Sequence, residues 1–304
     1  MKKSFLFLSL LFSLFSCSNQ EQFVEQVSQK DSNFKKFEIF GDVHNSVLRH
    51  VSSNFNDTQA RYGDASHALD YVVSIQKECV NNLSISSNAK EILCQGFDNY
   101  KELVKTDYLM SYIIPIESRS DDGEEFTTED VRNLIEEAYE CGGIDLFEYN
   151  TFMELIDCVI QNANGTLSND SFQTKVNELI AKWEDYYKDI DFSNLIISEQ
   201  TSIEESGLEP VDFQNGALGG VVLSISNSSL EYWNEESEDS RAIPVFVGAD
   251  IAGAVICAAS SCVGSYAISG TINWSGVAWS AASGAICGST GVVGKVGRWI
   301  SKLF

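Results

Sequence analysis

Few residues in this chain have the types and spacing that chemistry requires. Asp42 and His44, in Gly41-Asp42-Val43-His44-Asn45, offer an oxygen and a nitrogen donor that a metal ion can use. A two-metal hydrolytic site needs further GDxxD and GNH[ED] segments, and neither occurs. Asp42 therefore reads as a helix cap, and His44 and His50 as residues facing solvent or a neighbouring helix. Gly142-Gly143-Ile144-Asp145-Leu146-Phe147-Glu148-Tyr149 mimics the latter half of a calcium loop, with Glu148 in the bidentate place. Its first half supplies Glu137, Tyr139 and Cys141 where oxygen ligands are wanted, and the later Asn162–Leu167 stretch has Ser171 in place of the glutamate. These glycines read as helix ends or links. No GxSxG, HExxH or GxxxxGK[ST] segment is present. With 44 acidic residues, carboxylate pairs arise by chance and do not argue for hydrolysis. The sequence leads us to expect no enzyme, no cofactor and no metal site.

The other reactive residues are cysteines, eight in all. Setting Cys17 aside, Cys79 and Cys94 flank the polar turn Asn81-Asn82-Leu83-Ser84, and Cys141 and Cys158 flank Gly142-Gly143. Each pair can staple a helical hairpin in an oxidising compartment, or its members can be small buried apolar residues. No CxxC or Cys/His spacing suggests zinc.

The elements that would carry these residues are helices. Val47, Leu48, Val51 and Phe55 recur at helical spacing, as do Leu69, Val72, Val73 and Ile75, and Ile92, Leu93, Phe97, Tyr100 and Val104. Thr127-Thr128-Glu129-Asp130 before Val131, Leu134, Ile135 and Ala138 resembles a capped helix start. Phe172, Val176, Leu179, Ile180, Trp183 and Tyr187 continue the period behind the cap candidates Asn169 and Ser171. Alternating strand patterns are scarce, so a bundle is expected. The formal charge of -24 over 304 residues argues against nucleic acid as a partner.

Both ends of the chain are unlike this body. Met1–Ser16 has two lysines followed by an apolar run from Phe5 to Phe15, too short to span a bilayer permanently. It ends in Leu14-Phe15-Ser16-Cys17, which resembles a lipobox, with Phe15 departing from the small or branched residue usual there. Cys17 is then the lipidated residue, and two acyl chains hold a protein on a membrane where one does not. At the other end, Val245–Gly294 contains a single charge, Asp250, while residues 18–243 carry -28. Segments 247–268 and 275–294 are each near the length of a spanning helix and are joined by the polar link Ser269–Asn273. Ala249, Gly253 and Cys257, and then Gly276, Ser280, Gly284 and Gly288, are spaced to form one small-residue packing face. Trp274, Lys295, Arg298, Trp299 and Lys302 suit the headgroup region. Such a hairpin can enter a membrane or pack inside a soluble protein.

Gly41–Leu48, Leu230-Glu231-Tyr232-Trp233, Ala249-Asp250-Ile251-Ala252-Gly253-Ala254 and the lipobox together resemble a group of uncharacterised Bacteroidota lipoproteins with a helical body and a glycine-rich tail. The tail alone is similar to glycine-zipper segments and to the helices of class II bacteriocins. The resemblance implies no catalytic residue. The expected organisation is a signal peptide (1–16), a tether (17–36), an acidic helical domain (37–240) and a glycine-rich apolar tail (241–304). In fold class this is a mainly α, bundle-like domain followed by a small-residue-rich helical hairpin. The expected role is a non-enzymatic envelope lipoprotein, an interaction module anchored to the outer membrane. Its partners would be membrane lipid, through Cys17 and the tail, and an envelope protein or a second copy. The alternative is a bacteriocin-like or pore-forming antibacterial effector.

Overall fold

The computed structural model describes residues 32–54, 65–99, 128–190, 192, 216–236 and 243–289, without the side chains of 65–69, 236 and 243–245. The fold is mainly α, with no strand among the described residues. The chain divides into two units, Met1–Ser32 and Asn33–Phe304, and the second contains every helix described. The leader, Cys17, Lys295, Arg298, Trp299 and Lys302 lie outside the described residues.

A 3₁₀ turn, Phe34–Phe37, leads into α1 (Glu38–Asn54). Then come α2 (Ala65–Asn82), α3 (87–99), α4 (Thr128–Glu140), α5 (Leu146–Ala163), α6 (Asn169–Tyr186), α7 (Ala217–Glu236), α8 (Ile243–Ser269) and α9 (Trp274–Ser289). The expected tether runs too far. Phe37 is fully buried, Phe34 and Phe37 stack edge-on against Trp183, and the Asn33 amide donates to the carbonyls of Tyr187 and Ile190. Once aromatic side chains have such partners, apolar burial fixes residues 33–37 on the body.

The body helices follow their sequence stripes. In α6, Phe172, Val176, Leu179 and Trp183 are buried at helical spacing while Lys175, Glu178 and Lys182 face outward. Its N-cap is Ser168, whose hydroxyl accepts from Ser171 N–H, and not Asn169 or Ser171 as expected. Asp42 likewise is no cap, because it is an exposed residue inside α1. Gly142 and Gly165, both with φ of +75°, terminate α4 and α5. Gly143 N–H bonds Ala138 O and Gly142 N–H bonds Tyr139 O, the paired bonds of a left-handed helix stop.

The apolar tail forms an antiparallel hairpin, α8–α9, within this unit. α8 packs against α4, α5, α7 and α9, and α9 also packs against α1 and α7. Val247, Ile251, Ala252, Ala254, Val255, Ala258 and Ala259 on α8, and Val277 to Ile286 on α9, belong to the same core as Phe152, Val221 and Leu230. Residues 241–289 are therefore core elements of the helical body. An amphipathic helix needs one partner face, but α8 is apolar on every side and is enclosed on several.

Candidate functional site

The single charge of the hairpin is the centre of a buried polar network. Asp250, on the second turn of α8, is 0% exposed, as is His44 on α1, whose Nε2 lies 3.2 Å from Asp250 Oδ2. Ser229 Oγ donates to Oδ2 at 2.6 Å and Trp233 Nε1 donates to it at 3.0 Å, both from α7. Ser289 Oγ, at the end of α9, donates to Oδ1. One carboxylate thus joins four helices.

Asn45 Nδ2 donates to Ser228 O at 2.9 Å, so its Oδ1 faces His44 Nδ1, also at 2.9 Å. Three neutral donors, Ser229, Trp233 and Ser289, offset the cost of burying the Asp250 carboxylate.

Around this carboxylate the hairpin is packed backbone to backbone. A Cβ on Gly253 would lie 2.3 Å from Gly284 O, one on Gly284 would lie 2.3 Å from Gly253 O and 2.5 Å from Cys257 Sγ, and one on Gly288 would meet Ala249 O at 2.4 Å. Ala249, Gly253, Cys257, Gly284 and Gly288 therefore meet across one seam. Gly276 does not join it, since its neighbour is Asn273, which caps α9 by accepting Gly276 N–H. Ser280 contributes its carbonyl to Ser283 Oγ within α9. The seam occupies the half of the hairpin nearest Asp250.

That turn is a second distinctive feature. Tyr266 to Thr271 are all exposed, Ile268 at 90% and Tyr266 at 47%, while Ile272 and Trp274 are partly buried against the core. Trp274 begins α9 at the turn, and Ser289 ends it beside Asp250, 16 residues and roughly 24 Å along the helix.

Glu148 has a structural task in place of a calcium ligand's. It is the N3 residue of a capping box on α5, accepting Asp145 N–H at 3.2 Å while Asp145 accepts Glu148 N–H at 2.9 Å. Its Oε1 also accepts Gly219 N–H at 2.8 Å, so one carboxylate serves the N-termini of α5 and α7. Burial lifts its pKa to about 7, opposed by the backbone bond from Gly219 and reinforced by Asp145. The Gly219-Gly220 pair is explained by packing: a Cβ on Gly219 would meet the Trp183 indole at 3.0 Å and one on Gly220 the Phe37 ring at 2.8 Å. Trp183 Nε1 donates to Gly216 O at 2.8 Å, and Tyr187 donates to Asp145 Oδ2 at 2.7 Å.

Of the two readings of the cysteine pairs, staples or small buried residues, the structure shows unbonded thiols. Cys79, Cys94, Cys141 and Cys158 are free thiols. Cys79 Sγ donates to Ser46 O across to α1, Cys141 Sγ donates to Ala138 O in its own helix end, and burial raises the Cys158 thiol to about 11. Each behaves as a small apolar residue with a weak donor.

Sequence reasoning missed His44, Ser229, Trp233 and Ser289 as partners of Asp250, which four helices bring together from distant parts of the chain. A signal was available: an aspartate alone in an otherwise uncharged apolar helix must find a partner. Comparison with protein-family models, with curated proteins and with solved structures finds no match. The class defined by the fold is a helical bundle built around an apolar, glycine-seamed hairpin.

Proposed function

We propose that the chain is a non-enzymatic lipoprotein of the cell envelope, held at the outer membrane by lipid on Cys17, whose acidic bundle is an interaction module. The observation that carries this reading is the binding of the hairpin into the bundle through Asp250, His44, Ser229, Trp233 and Ser289. It makes the glycine-rich tail part of one module that the tether can present, with the exposed turn as its membrane-facing part. The non-enzymatic reading is supported by what the buried titratable groups do. His44, Asp250 and Glu148 are 0–1% exposed and spent on bonds within the fold. An envelope protein or a second copy of the chain is the partner class that suits an acidic, mixed polar surface.

Labelling cells with an alkyne palmitate analogue tests the anchor. The wild-type chain takes up label and sediments with membranes, and Cys17→Ala loses both. Retained label in Cys17→Ala, or a mature N-terminus other than Cys17, overturns the reading.

A specific observation supports the pore-forming alternative. Phe246–Ser269 is 24 residues long and contains an 18-residue stretch with a mean hydropathy of 1.8, carried among acidic helices from which it could be released into lipid. Dye release from liposomes by the full mature chain carrying Cys17→Ala distinguishes the two. Leakage at low protein-to-lipid ratio favours the effector, and intact liposomes favour the module. Deleting the tail would not serve, because it removes Asp250 and two helices of the core.

A further inference from the structure

We infer that the α8–α9 turn, Tyr266–Trp274, is a peripheral membrane-docking tip that enters the headgroup and upper acyl region of a bilayer without spanning it. This deepens the lipoprotein reading and rests on it, since the lipid on Cys17 is what brings the tip within reach of the surface.

The first support is chemical. Ile268 is 90% exposed, and Tyr266, half exposed, lies on the same last turns of α8, with Ile272 and Trp274 just beyond. Aliphatic side chains flanked by amphipathic aromatics are the composition of a water–lipid boundary. No charged residue occurs from Ile251 through Gly294, in a chain whose residues 18–243 carry -28. A tip without charge has nothing with which to recognise a charged protein partner, but it meets no desolvation barrier at a neutral lipid surface.

The second support is the state of the turn's polar groups. Entering lipid is costly for any backbone or hydroxyl group left without a partner. Here Ser269 Oγ donates to Ser265 O, and Thr271 N–H donates back to Ser269 Oγ. Gly270 N–H bonds Tyr266 O, Gly276 N–H bonds Asn273 Oδ1 and Val277 N–H bonds Asn273 O. The reversal therefore closes several of its own hydrogen bonds, which lowers the cost of entering an interface.

The third support limits the depth. Asp250 lies nineteen residues before Ser269, roughly 28 Å along α8, and is held by helices α1, α7 and α9. The glycine seam fixes the same half of the hairpin. Only the last turns of α8, the turn and the start of α9 are available to lipid while the bundle stays folded.

The test is flotation of the full mature chain carrying Cys17→Ala, which removes the acyl anchor, with phosphatidylcholine vesicles at high salt. The chain is expected to co-float, and Ile268→Glu is expected to lower its partition coefficient on the order of tenfold or more, the factor one buried isoleucine supplies. Leu146→Glu, at another exposed apolar position on α5, should leave partitioning unchanged. Circular dichroism should show both variants folded, because neither side chain belongs to the core. The inference is overturned if the Cys17→Ala chain does not float, if Ile268→Glu floats equally well, or if Ile268 instead drives dimerisation in the absence of lipid. Acyl labelling of Cys17 in cells is unaffected by any of these results, so loss of the tip and loss of the lipoprotein reading are separately visible.

Discussion

Glutamine at position 148 copies the protonated form of a carboxylate that the fold has made unusually basic. Desolvation raises Glu148 from an ordinary value of 4.5 to about 7, with Asp145 adding to the rise and bonds from Gly219, Gly216 and Asp145 N–H reducing it. A folded-state pKa above the unfolded one means that the native state binds the proton more tightly. The associated stability is fully present below about pH 4.5 and is lost as pH rises through about 7. At 1.36 kcal/mol per unit, the loss is about 3 kcal/mol by pH 8, a large share of a domain's total. Glu148→Gln keeps an amide oxygen for Gly219 N–H but cannot ionise, so it escapes that loss. The assay is urea unfolding of both proteins from pH 5 to 8. Other carboxylates titrate in both, and their effect cancels in the difference. The variant should gain about 3 kcal/mol on the wild type across this range, or roughly 6 °C or more in Tm. Parallel pH profiles would refute the assignment of a buried, proton-binding Glu148.

The remaining predictions concern the hairpin and the thiols. Asp250→Leu, which removes the acceptor shared by His44, Ser229, Trp233 and Ser289, should cost about 3–5 kcal/mol by urea unfolding, because their buried polar groups lose their partner. Gly253→Val should cost about 2 kcal/mol or more by the same measurement, since its Cβ would stand 2.3 Å from the Gly284 carbonyl oxygen, which is backbone and cannot turn away. Gly264→Ala, on the same helix with nothing within 4 Å of the added carbon, should instead raise stability by about 0.5–1 kcal/mol. Cys94 and Cys158 differ in exposure, and a maleimide reagent should label Cys94 in the native protein well before Cys158.

How far the sequence could be read depended on the range of the interaction. The α6 stripe Phe172–Val176–Leu179–Trp183 is local, and it is buried as its spacing implies. The seam of Ala249, Gly253, Cys257, Gly284 and Gly288 was legible for the same reason, because two adjacent helices joined by a short turn must face each other. Gly276 fits the same four-residue spacing but has Asn273 of its own turn as its neighbour, and spacing alone does not show that. His44 illustrates the opposite case. The sequence leaves it facing solvent or a neighbouring helix, and the structure shows the helix, but the partner Asp250 becomes visible only when α1 and α8 are packed. Glu148 was read by its sequence neighbours as half a calcium loop, whereas Gly219, far along the chain, supplies the hydrogen bond that defines its role. The cysteine pairs were placed across turns, and the helices instead direct Cys79 toward Ser46 and Cys141 toward its own helix end.

The meeting of His44 with Asp250 and Ser289 also sets an order of events. α1 is among the first helices synthesised, and the groups that neutralise its buried face are among the last. Until α8 and α9 have emerged, His44 has no carboxylate beside it, and Phe40 lacks the Trp279 ring on which it packs at 4.6 Å. The hairpin itself closes through near neighbours and can form quickly once made, while its contacts with His44 and Phe40 join residues more than 200 apart in the chain. A chain that stops short of α8 and α9 leaves that face of α1 without these partners, while α2 and α7 still cover the rest of the helix.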